Sequence, residues 1–300
     1  MIDIEKIRIT TLVDNGVADT EYLAEWGLSL HLSLDHEAAV LLDTGGGKAC
    51  VPNAEVAGID LSKVGAICLS HGHGDHTGGL APVLNNIRQK DPLRENVDIY
   101  CHPAALEEQY VKHSDTYSYL GIPYHPEELR RLGARFHTST EPVWLNDHMV
   151  LSGEVPLQTD FEAPSNICYL KTEGRYHQSP VQDDQALFVL TSQGLLVLSG
   201  CAHRGIINTL LYAREITGVE RVHTVVGGTH LLNTDMRQQE RTADMFLELK
   251  VNKVGVSHCT GLKPACYLAR RLGPEKFFFN NAGTVITFSG QGVTVKAFER

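Results

Sequence analysis

Long apolar runs are missing from this sequence. No uninterrupted apolar stretch approaches the roughly 18 residues that a helix needs to span a bilayer. Residues 1–6 lack the basic start and apolar core of a signal peptide. We therefore expect a cytoplasmic protein without a membrane partner.

Paired cysteines and a basic excess are missing as well. The seven cysteines are odd in number and include no C-x-x-C pair, so neither a disulfide framework nor a zinc knuckle is indicated. Lys and Arg total 26 against 36 Asp and Glu, a formal net charge of -10. Sequence-independent nucleic-acid binding needs a basic surface, so we expect no nucleic-acid partner. We expect a small-molecule substrate, and a local pocket for one phosphate group stays compatible with this charge.

What the sequence does contain is the composition of a folded protein. Hydrophobic residues make up 42% and charged residues 21% of the 300 positions, which argues against disorder. Chains of this length commonly form one α/β unit, so we predict a single domain over residues 1–300. The segment 103–180 carries scattered Pro, Gly, His and Tyr, and we interpret it as an insertion that shapes the active site.

Apolar patterns outside that segment predict alternating strands and helices. The predicted strands are 7–13, 28–34, 39–42, 64–69, 97–101, 186–191, 195–199, 222–226, 253–257, 284–288 and 293–298. The predicted helices are 53–58, 80–87, 126–132, 204–216, 234–249 and 263–272. Both halves combine β-hairpins with βα units and end strands on histidine-bearing loops. This repeated order fits an α/β fold with two sheets face to face and helices outside.

Four metal-binding side chains occur within six residues, in the run His71-Gly72-His73-Gly74-Asp75-His76. Glycines between them let the backbone turn tightly enough for the side chains to converge. A solvated histidine-rich loop would have a similar composition, but it would not require the apolar strand that precedes this run or an aspartate at this offset. The run therefore predicts a metal centre at the carboxyl end of a strand.

The residues around this run resemble a known family. Ser70 to Gly79, read as S-H-G-H-G-D-H-T-G-G, resembles the H-x-H-x-D-H signature of the metallo-β-lactamase superfamily, and Asp43-Thr44-Gly45 resembles its upstream D-T-G element. Further segments are similar to the 7,8-dihydropterin-6-methyl-4-(β-D-ribofuranosyl)aminobenzene 5′-phosphate synthase-like subfamily. These segments are Glu25-Trp26-Gly27-Leu28-Ser29, residues 53–62, Gly200-Cys201-Ala202-His203, Gly227-Gly228-Thr229-His230-Leu231 and Ser257-His258-Cys259-Thr260-Gly261. At Gly74 that subfamily carries an aromatic residue, so the glycine would enlarge or loosen the pocket beside the metals.

The resemblance implies a four-layer αββα metallo-β-lactamase fold, with two mixed sheets and a dinuclear metal centre. His71 and His73 would bind one divalent ion, and Asp75 and His76 the second. His/Asp sites accept several metals, so zinc is the first candidate, with manganese or iron as alternatives.

Two metals need more donors than four side chains supply, so further ligands must come from other strand ends. His203 and His258 each follow an apolar strand and are the best candidates, although either could be a buried, hydrogen-bonded histidine. Cys201 lies close to the position of the superfamily's bridging aspartate, and His203 competes with it for that role. His230 could be a ligand, a proton donor, a substrate contact or a structural residue.

A divalent metal lowers the pKa of bound water toward ~7 and polarises an electrophilic oxygen, so no Ser or Cys nucleophile is required. Asp75 is the predicted catalytic residue, because it could also orient that water or accept its proton. Asp43 would support the histidines without binding metal. The turns Gly227-Gly228-Thr229 and Thr260-Gly261, with Lys263 nearby, could present N–H groups to an anion, but helix-end turns give the same composition.

Together these features predict a metal-dependent hydrolase that activates water against a small ester-like or phosphate-containing substrate. One alternative is a phosphoribosyl-transfer type synthase in pterin biosynthesis. Another is a di-iron redox enzyme, which usually needs a carboxylate-rich site and a flavin-bearing domain. A third alternative is a binding protein that retains metal without turnover, and the presence of six candidate ligands disfavours it.

Overall fold

The computed structural model describes residues 1–35, 37–289 and 292–296. Its strands are β1 (Ile7–Val13), β2 (Ser29–Leu34), β3 (Ala39–Leu42), β4 (Val64–Cys68), β5 (Val97–Cys101), β6 (Gln109–His113), β7 (Thr116–Tyr119), β8 (Ala134–Thr138), β9 (Val143–Asn146), β10 (Met149–Leu151), β11 (Cys168–Thr172), β12 (Arg175–Gln178), β13 (Ala186–Thr191), β14 (Gly194–Ser199), β15 (Val222–Gly228), β16 (Lys253–Ser257), β17 (Phe277–Phe279), β18 (Val285–Ser289) and β19 (Gly292–Lys296).

The α-helices of the same residues are α1 (Cys50–Val56), α2 (Gly74–Thr77), α3 (Leu80–Lys90), α4 (Pro126–Arg131), α5 (Ile206–Thr217), α6 (Met236–Glu248) and α7 (Leu262–Leu272). Short 3-10 helices occupy Ile4–Lys6, Leu61–Lys63, Pro103–Leu106 and His258–Thr260. No helix in the described ranges is long and apolar enough to cross a bilayer.

The strands form two large mixed sheets and one small sheet. The first has eight strands in the order β19-β18-β1-β2-β3-β4-β5-β8, and the second has seven in the order β17-β16-β15-β14-β13-β10-β9. In the first, β3, β4, β5 and β8 run parallel, and in the second β14 to β17 do. The remaining four strands form a separate antiparallel sheet in the order β12-β11-β6-β7.

Alternate side chains of the large sheets fill three apolar layers. On β14, Leu196 and Leu198 pack between the two sheets, whereas Leu195 and Val197 face the outer layer of α5, α6 and α7. On β4, Ile67 packs in the same way against the outer helices α1 and α3. Strands covered on both faces read as continuous apolar runs, which is why the central strands were predictable. The predicted αββα arrangement is confirmed.

The segment 103–180 is more divided than the predicted insertion. It contributes β8 to the edge of the eight-stranded sheet and β9 and β10 to the edge of the seven-stranded sheet. Only β6, β7, β11 and β12 lie outside the two large sheets. Those four strands are short and partly exposed, so they lack the apolar runs that mark the central strands.

Most predicted elements are found with shifts of one to three residues at their ends. The last predicted strand, 293–298, corresponds to β19, and its final two positions lie outside the described residues. The short strand β17 was not predicted, although it pairs with β16 in parallel.

One glycine near the carboxyl ends of the central strands has no room for a side chain. Gly227 has φ +130, and a Cβ there would lie 2.0 Å from the backbone oxygen of Ser199. We expect Gly227→Ala to lower the free energy of unfolding by about 3 kcal/mol or more, because strained backbone and overpacking add. Gly218→Ala is the matched control: its φ is +67 but nothing lies within 4 Å, so about 1 kcal/mol is expected. Equal losses in urea denaturation would contradict this account.

Candidate metal centre

The candidate site lies where the carboxyl ends of strands from both large sheets meet. Loops after β3 and β4 carry Asp43 and the histidine run, and loops after β14, β15 and β16 carry Cys201 to His203, His230 and His258. Ligand sites of α/β sheets are commonly found at this edge. Four residues of these loops, Asp43, Ala202, His230 and His258, have positive φ without being glycine. Such conformations concentrate at functional sites.

The first donor set is made of three buried histidines, His71, His73 and His203. Their donor atoms lie within 4.8 Å of one another, and the Nε2 atoms of His71 and His203 are 3.3 Å apart. Two nitrogens on one tetrahedral zinc, each about 2.0–2.1 Å from it, would be separated by roughly 3.3 Å. The set therefore has the spacing of three ligands on one ion.

The second donor set is made of Asp75, His76 and His258, again with donor atoms within 4.8 Å. The Oδ2 of Asp75 lies 3.2 Å from the Nε2 of His258. Cys201 lies between the two sets: its Sγ is 3.2 Å from the Nε2 of His76, and it also groups with His71. Cys201 is thus placed where one atom could contact ions held by both sets.

Asp43 links the two donor sets through hydrogen bonds to Ser70 and His76. Its Oδ1 accepts the backbone N–H of Ser70 at 2.7 Å, and its Oδ2 accepts from the Ser70 hydroxyl at 2.6 Å and from Nδ1 of His76 at 2.7 Å. The Ser70 hydroxyl has one proton, which it donates to Asp43, so its oxygen accepts from the Nδ1 of His71 at 2.8 Å. Both imidazoles therefore carry a proton on Nδ1 and direct Nε2 at the site, as metal-binding histidines do.

His258 is fixed by the loop that follows β1. Its backbone N–H donates to Asp14 at 2.7 Å, and its Nδ1 donates to Oδ1 of Asn15 at 2.8 Å. Burial, partly offset by the backbone N–H groups of Gly16 and His258, raises the pKa of Asp14 to about 6. Sequence reasoning missed Asp14 and Asn15, whose signal was an Asp-Asn-Gly turn directly after an apolar strand.

Two further aspartates, also missed, hold the backbone of the ligand loops. Asp183 accepts the N–H of Gly72 and the side-chain amide of Gln109, each at 2.8 Å. Asp184 accepts the N–H of Arg204 at 2.9 Å, and burial raises its pKa to about 7. Through these hydrogen bonds, residues 183–184, which lie shortly before β13, hold both the histidine run and the His203 loop.

The ionisation of most donors matches the needs of a cation site, but His76 must release its Nε2 proton before it can bind a metal. Burial and neighbouring imidazoles hold the pKa values of His71 and His203 well below their usual range, which keeps both rings neutral. Burial opposes a charge on His76, but the carboxylates of Asp43 and Asp75 outweigh it and raise the pKa of His76 to about 9. For Asp75, burial is outweighed by His76 and His258, so its pKa lies well below the usual value.

The residues fit a pair of divalent cations. Imidazole nitrogens, a carboxylate and a thiol are the donors that such metals take in proteins. The Oδ1 of Asp75 is buried and has no hydrogen-bond partner among the described residues. The Nε2 atoms of His71 and His203 face each other, and a cation between two lone pairs would stabilise that arrangement. All six predicted ligands converge here, and their binding of metal stays a prediction.

Comparisons with known proteins agree with this geometry. A protein described as a metal-dependent hydrolase of the beta-lactamase superfamily superposes with a TM-score of 0.79 at 29% identity, covering 94% of this chain and 99% of that one. The chain has the metallo-β-lactamase fold. Residues 32–166 match the model of the metallo-beta-lactamase superfamily, so the resemblance expected from the sequence is confirmed. Members of that superfamily usually bind metal ions.

Two further similarities cover almost the whole chain. The 7,8-dihydropterin-6-methyl-4-(beta-D-ribofuranosyl)-aminobenzene-5'-phosphate synthase of Methanocaldococcus jannaschii is 28% identical over 293 residues, which is 95% of this chain and 98% of that protein. The metallo-beta-lactamase fold protein YhfI of Bacillus subtilis superposes with a TM-score of 0.56 at 12% identity, covering 93% of this chain and 98% of that one, and shows the fold alone.

Within this metallo-β-lactamase fold, Cys201 also belongs to a third group with His230 and Cys259. Their donor atoms lie within 4.8 Å of one another, and the Cys259 thiol donates to the backbone oxygen of Cys201 at 3.3 Å. The ring of His230 lies 4.0 Å from that of His203. The sequence left the roles of Cys201 and His230 open, and it gave no signal for Cys259.

Three N–H groups of the glycine-rich turns bond within the protein. Gly228 donates its N–H to the backbone oxygen of Gly200 at 2.9 Å, and Thr229 donates its N–H to the Thr260 hydroxyl at 3.2 Å. Gly261 donates its N–H to the oxygen of His258 at 3.3 Å. These three amides are therefore not available to a phosphate, and phosphate binding at the turns stays a prediction.

Gly74 packs closely against the backbone that follows β7, and its effect on the size of the pocket stays a prediction. Its N–H donates to the backbone oxygen of Leu120 at 2.7 Å, and a Cβ at this position would lie 3.1 Å from the backbone oxygen of Gly121. A side chain at this position would therefore press against the backbone that follows β7. Gly74 permits that backbone to pack against the ligand loop.

A cavity of about 630 Å³ opens onto the donor sets. Its walls include His73, Asp75, His203, His230 and His258 on the metal side. The opposite walls come from the segment 163–168, which leads into the small sheet, and from residues 232–238 at the start of α6. Part of the 103–180 segment therefore does line the candidate active site.

Proposed function

We propose that this protein is a metal-dependent hydrolase with a dinuclear centre, which activates water against a small ester-like or phosphate-containing substrate. One observation carries the proposal: two sets of three donors, His71/His73/His203 and Asp75/His76/His258, lie side by side with Cys201 between them, and four of the six side chains line one cavity. Zinc is the first candidate ion because imidazole-rich sites suit it, and manganese and iron are the alternatives.

Two divalent ions at these sets would lower the pKa of water toward ~7 and polarise the electrophilic oxygen of the substrate. The chain's own residues would hold and orient the reactants. Asp75 keeps one buried oxygen without a hydrogen-bond partner among the described residues, so it can orient the attacking water by accepting a hydrogen bond from it. In ester hydrolysis the water oxygen bonds to the acyl carbon, the bond from that carbon to the alcohol oxygen breaks, and the departing oxygen takes up a proton.

A second candidate is a phosphoribosyl-transfer type synthase in pterin biosynthesis. The name of the archaeal relative, which aligns with 95% of this chain, favours it. The metal-loaded protein should then release diphosphate from a phosphoribosyl diphosphate donor when an aminobenzene acceptor is present. Di-iron redox chemistry is less favoured, because the two donor sets contain one carboxylate among six side chains.

Metal removal followed by reloading tests the hydrolase proposal. Chelator-treated protein should be inactive on a panel comprising an aryl ester, a lactone, a thioester, a phosphomonoester and a phosphodiester. Reloading with zinc, manganese or iron should restore hydrolysis of at least one class, with activity levelling off at two equivalents. Equal hydrolysis by metal-free and reloaded protein would contradict the proposal, and diphosphate release without any hydrolysis would favour the synthase.

A further inference from the structure

The cavity beside the donor sets has no Lys or Arg side chain in its walls, as far as the described residues show. The carboxylates there are Asp75 and Asp235. An adjoining cavity of about 350 Å³ shares Trp26, Leu232 and His258 with it and is likewise free of Lys and Arg within the described ranges. A negatively charged group bound away from the metals would thus find no fixed counter-ion.

Two helix N-termini close to this cavity, those of α5 and α6, are already occupied by the protein's own carboxylates. Asp235 accepts the N–H of Gln238 at 2.8 Å and so caps α6. Glu162 accepts the N–H groups of Ile207 and Asn208, at 3.0 and 2.8 Å, at the start of α5. Helix N-termini are the usual backbone sites for anions, and here both are neutralised from within.

Apolar and uncharged side chains form the mouth of the cavity instead. Trp26, Ile167 and Leu232 are exposed over 56%, 45% and 44% of their surface and stand at one opening. Asn166, Asn233 and Gln238 supply amide groups beside them. A largely apolar wall with a few uncharged polar groups is the usual composition of a small-molecule site.

We propose that the site selects substrates whose body, beyond the bond that is cleaved, is uncharged and largely apolar. This inference rests on the proposed hydrolase function and narrows its substrate class. Trp26, Ile167 and Leu232 contact the apolar body, while the amides orient its polar atoms. A carboxylate or phosphate on that body is disfavoured, because it loses hydration without gaining a counter-ion and faces the charge of Asp235.

Matched esters test the selectivity. The p-nitrophenyl esters of hexanoic acid and of adipic acid have six-carbon acyl chains that differ at the end distant from the ester, a methyl group in one and a carboxylate in the other. With zinc-loaded protein we expect kcat/KM to favour the hexanoate by at least tenfold, which corresponds to about 1.4 kcal/mol. Equal values, or a preference for the adipate, would overturn the inference.

A charge placed in the wall should change that preference. Gln238→Lys introduces a cation beside the apolar mouth, and we expect it to reduce the hexanoate preference at least fivefold, mainly through the KM for the adipate. Gln238→Met removes the amide without adding charge and should keep the wild-type preference. The inference fails if the lysine and methionine variants discriminate alike.

Binding without turnover separates this inference from the proposed function. The chain has two tryptophans, and Trp144→Phe leaves Trp26 as the sole indole. Titration of this variant with hexanamide should shift the fluorescence of Trp26, whereas adipamic acid, its carboxylate-bearing counterpart, should bind at least tenfold more weakly. If no substrate of the panel is hydrolysed but hexanamide is preferred, the hydrolase proposal fails and the selectivity stands. If adipamic acid binds as well as hexanamide, the selectivity fails whatever the activity.

Discussion

His203→Ala is expected to remove one of two bound metal ions and to reduce turnover roughly 10³-fold, since a metal acting on the transition state contributes several kcal/mol. In the donor set His71/His73/His203, only His203 follows a strand of the seven-stranded sheet. Its Nε2 lies 3.3 Å from the Nε2 of His71. Without it, His71 and His73 offer two ligands from a single loop, too few to fill a tetrahedral site. Elemental analysis and turnover of the same preparation would measure both effects.

The matched control is another buried histidine of the same sheet. His223 lies on β15, bonds to Thr224 at 2.9 Å and belongs to none of the candidate metal groups. His223→Ala should lower stability while leaving the metal content and the turnover of the folded protein unchanged. If His203→Ala retained the wild-type metal content, the assignment of His203 to the first set would be wrong.

Asp43→Asn is expected to weaken metal binding by roughly 10- to 100-fold, although no donor of either set is altered. The amide keeps the shape of the carboxylate, and asparagine tolerates the φ of +60 at this position. One end of the asparagine side chain is an NH₂ group, which cannot accept a hydrogen bond. Asp43 accepts three hydrogen bonds from Ser70 and His76. At least one of these buried donors would therefore lose its acceptor, which costs about 1–3 kcal/mol. Chelator competition would measure the loss of metal affinity, and thermal denaturation would measure the loss of stability.

Asp98→Asn makes the same chemical change far from the site. Asp98 pairs on the surface with Arg135 and His137, and Arg135 is the main reason that its pKa falls to about 2. Exposed pairs contribute about 0–1 kcal/mol, so a small loss of stability and unchanged metal affinity are expected. Equal metal affinities in the Asp43 and Asp98 variants would show that Asp43 does not position the histidines.

The metal-side donors were predictable because each follows an apolar strand. The histidine run after β4, His203 after β14 and His258 after β16 are all placed by strands that are buried on both faces. Parallel strands bring their carboxyl ends to one edge, so a chemical signature at several strand ends predicts a common site without knowledge of the side-chain contacts.

Apart from Asp43, the residues that support the ligand loops were not predicted, because the partners that they hold are distant in the sequence. Asp183 bonds to Gly72 across 111 positions, and Asn15 bonds to His258 across 243. No local spacing carries that information. Cys259 lacked a signal for a further reason: a buried cysteine beside a ligand has the same sequence pattern as an ordinary core thiol.

The strands of segment 103–180 were the hardest to predict from the sequence. Short edge strands such as β9 and β12 expose much of their surface, so they carry neither an apolar run nor a regular alternation. Helix α4 was found because Pro126 and the charged residues after it form a local start signal. The walls of the cavity that come from this segment could therefore be described only from the structure.

The central claim is that two divalent ions occupy the two donor sets together. Elemental analysis of protein purified without added metal, then saturated with zinc and freed of excess by gel filtration, tests it most directly. The account predicts two zinc ions per chain, falling to one in His203→Ala and to one in His258→Ala. One ion or fewer in the saturated wild-type protein would contradict the dinuclear centre.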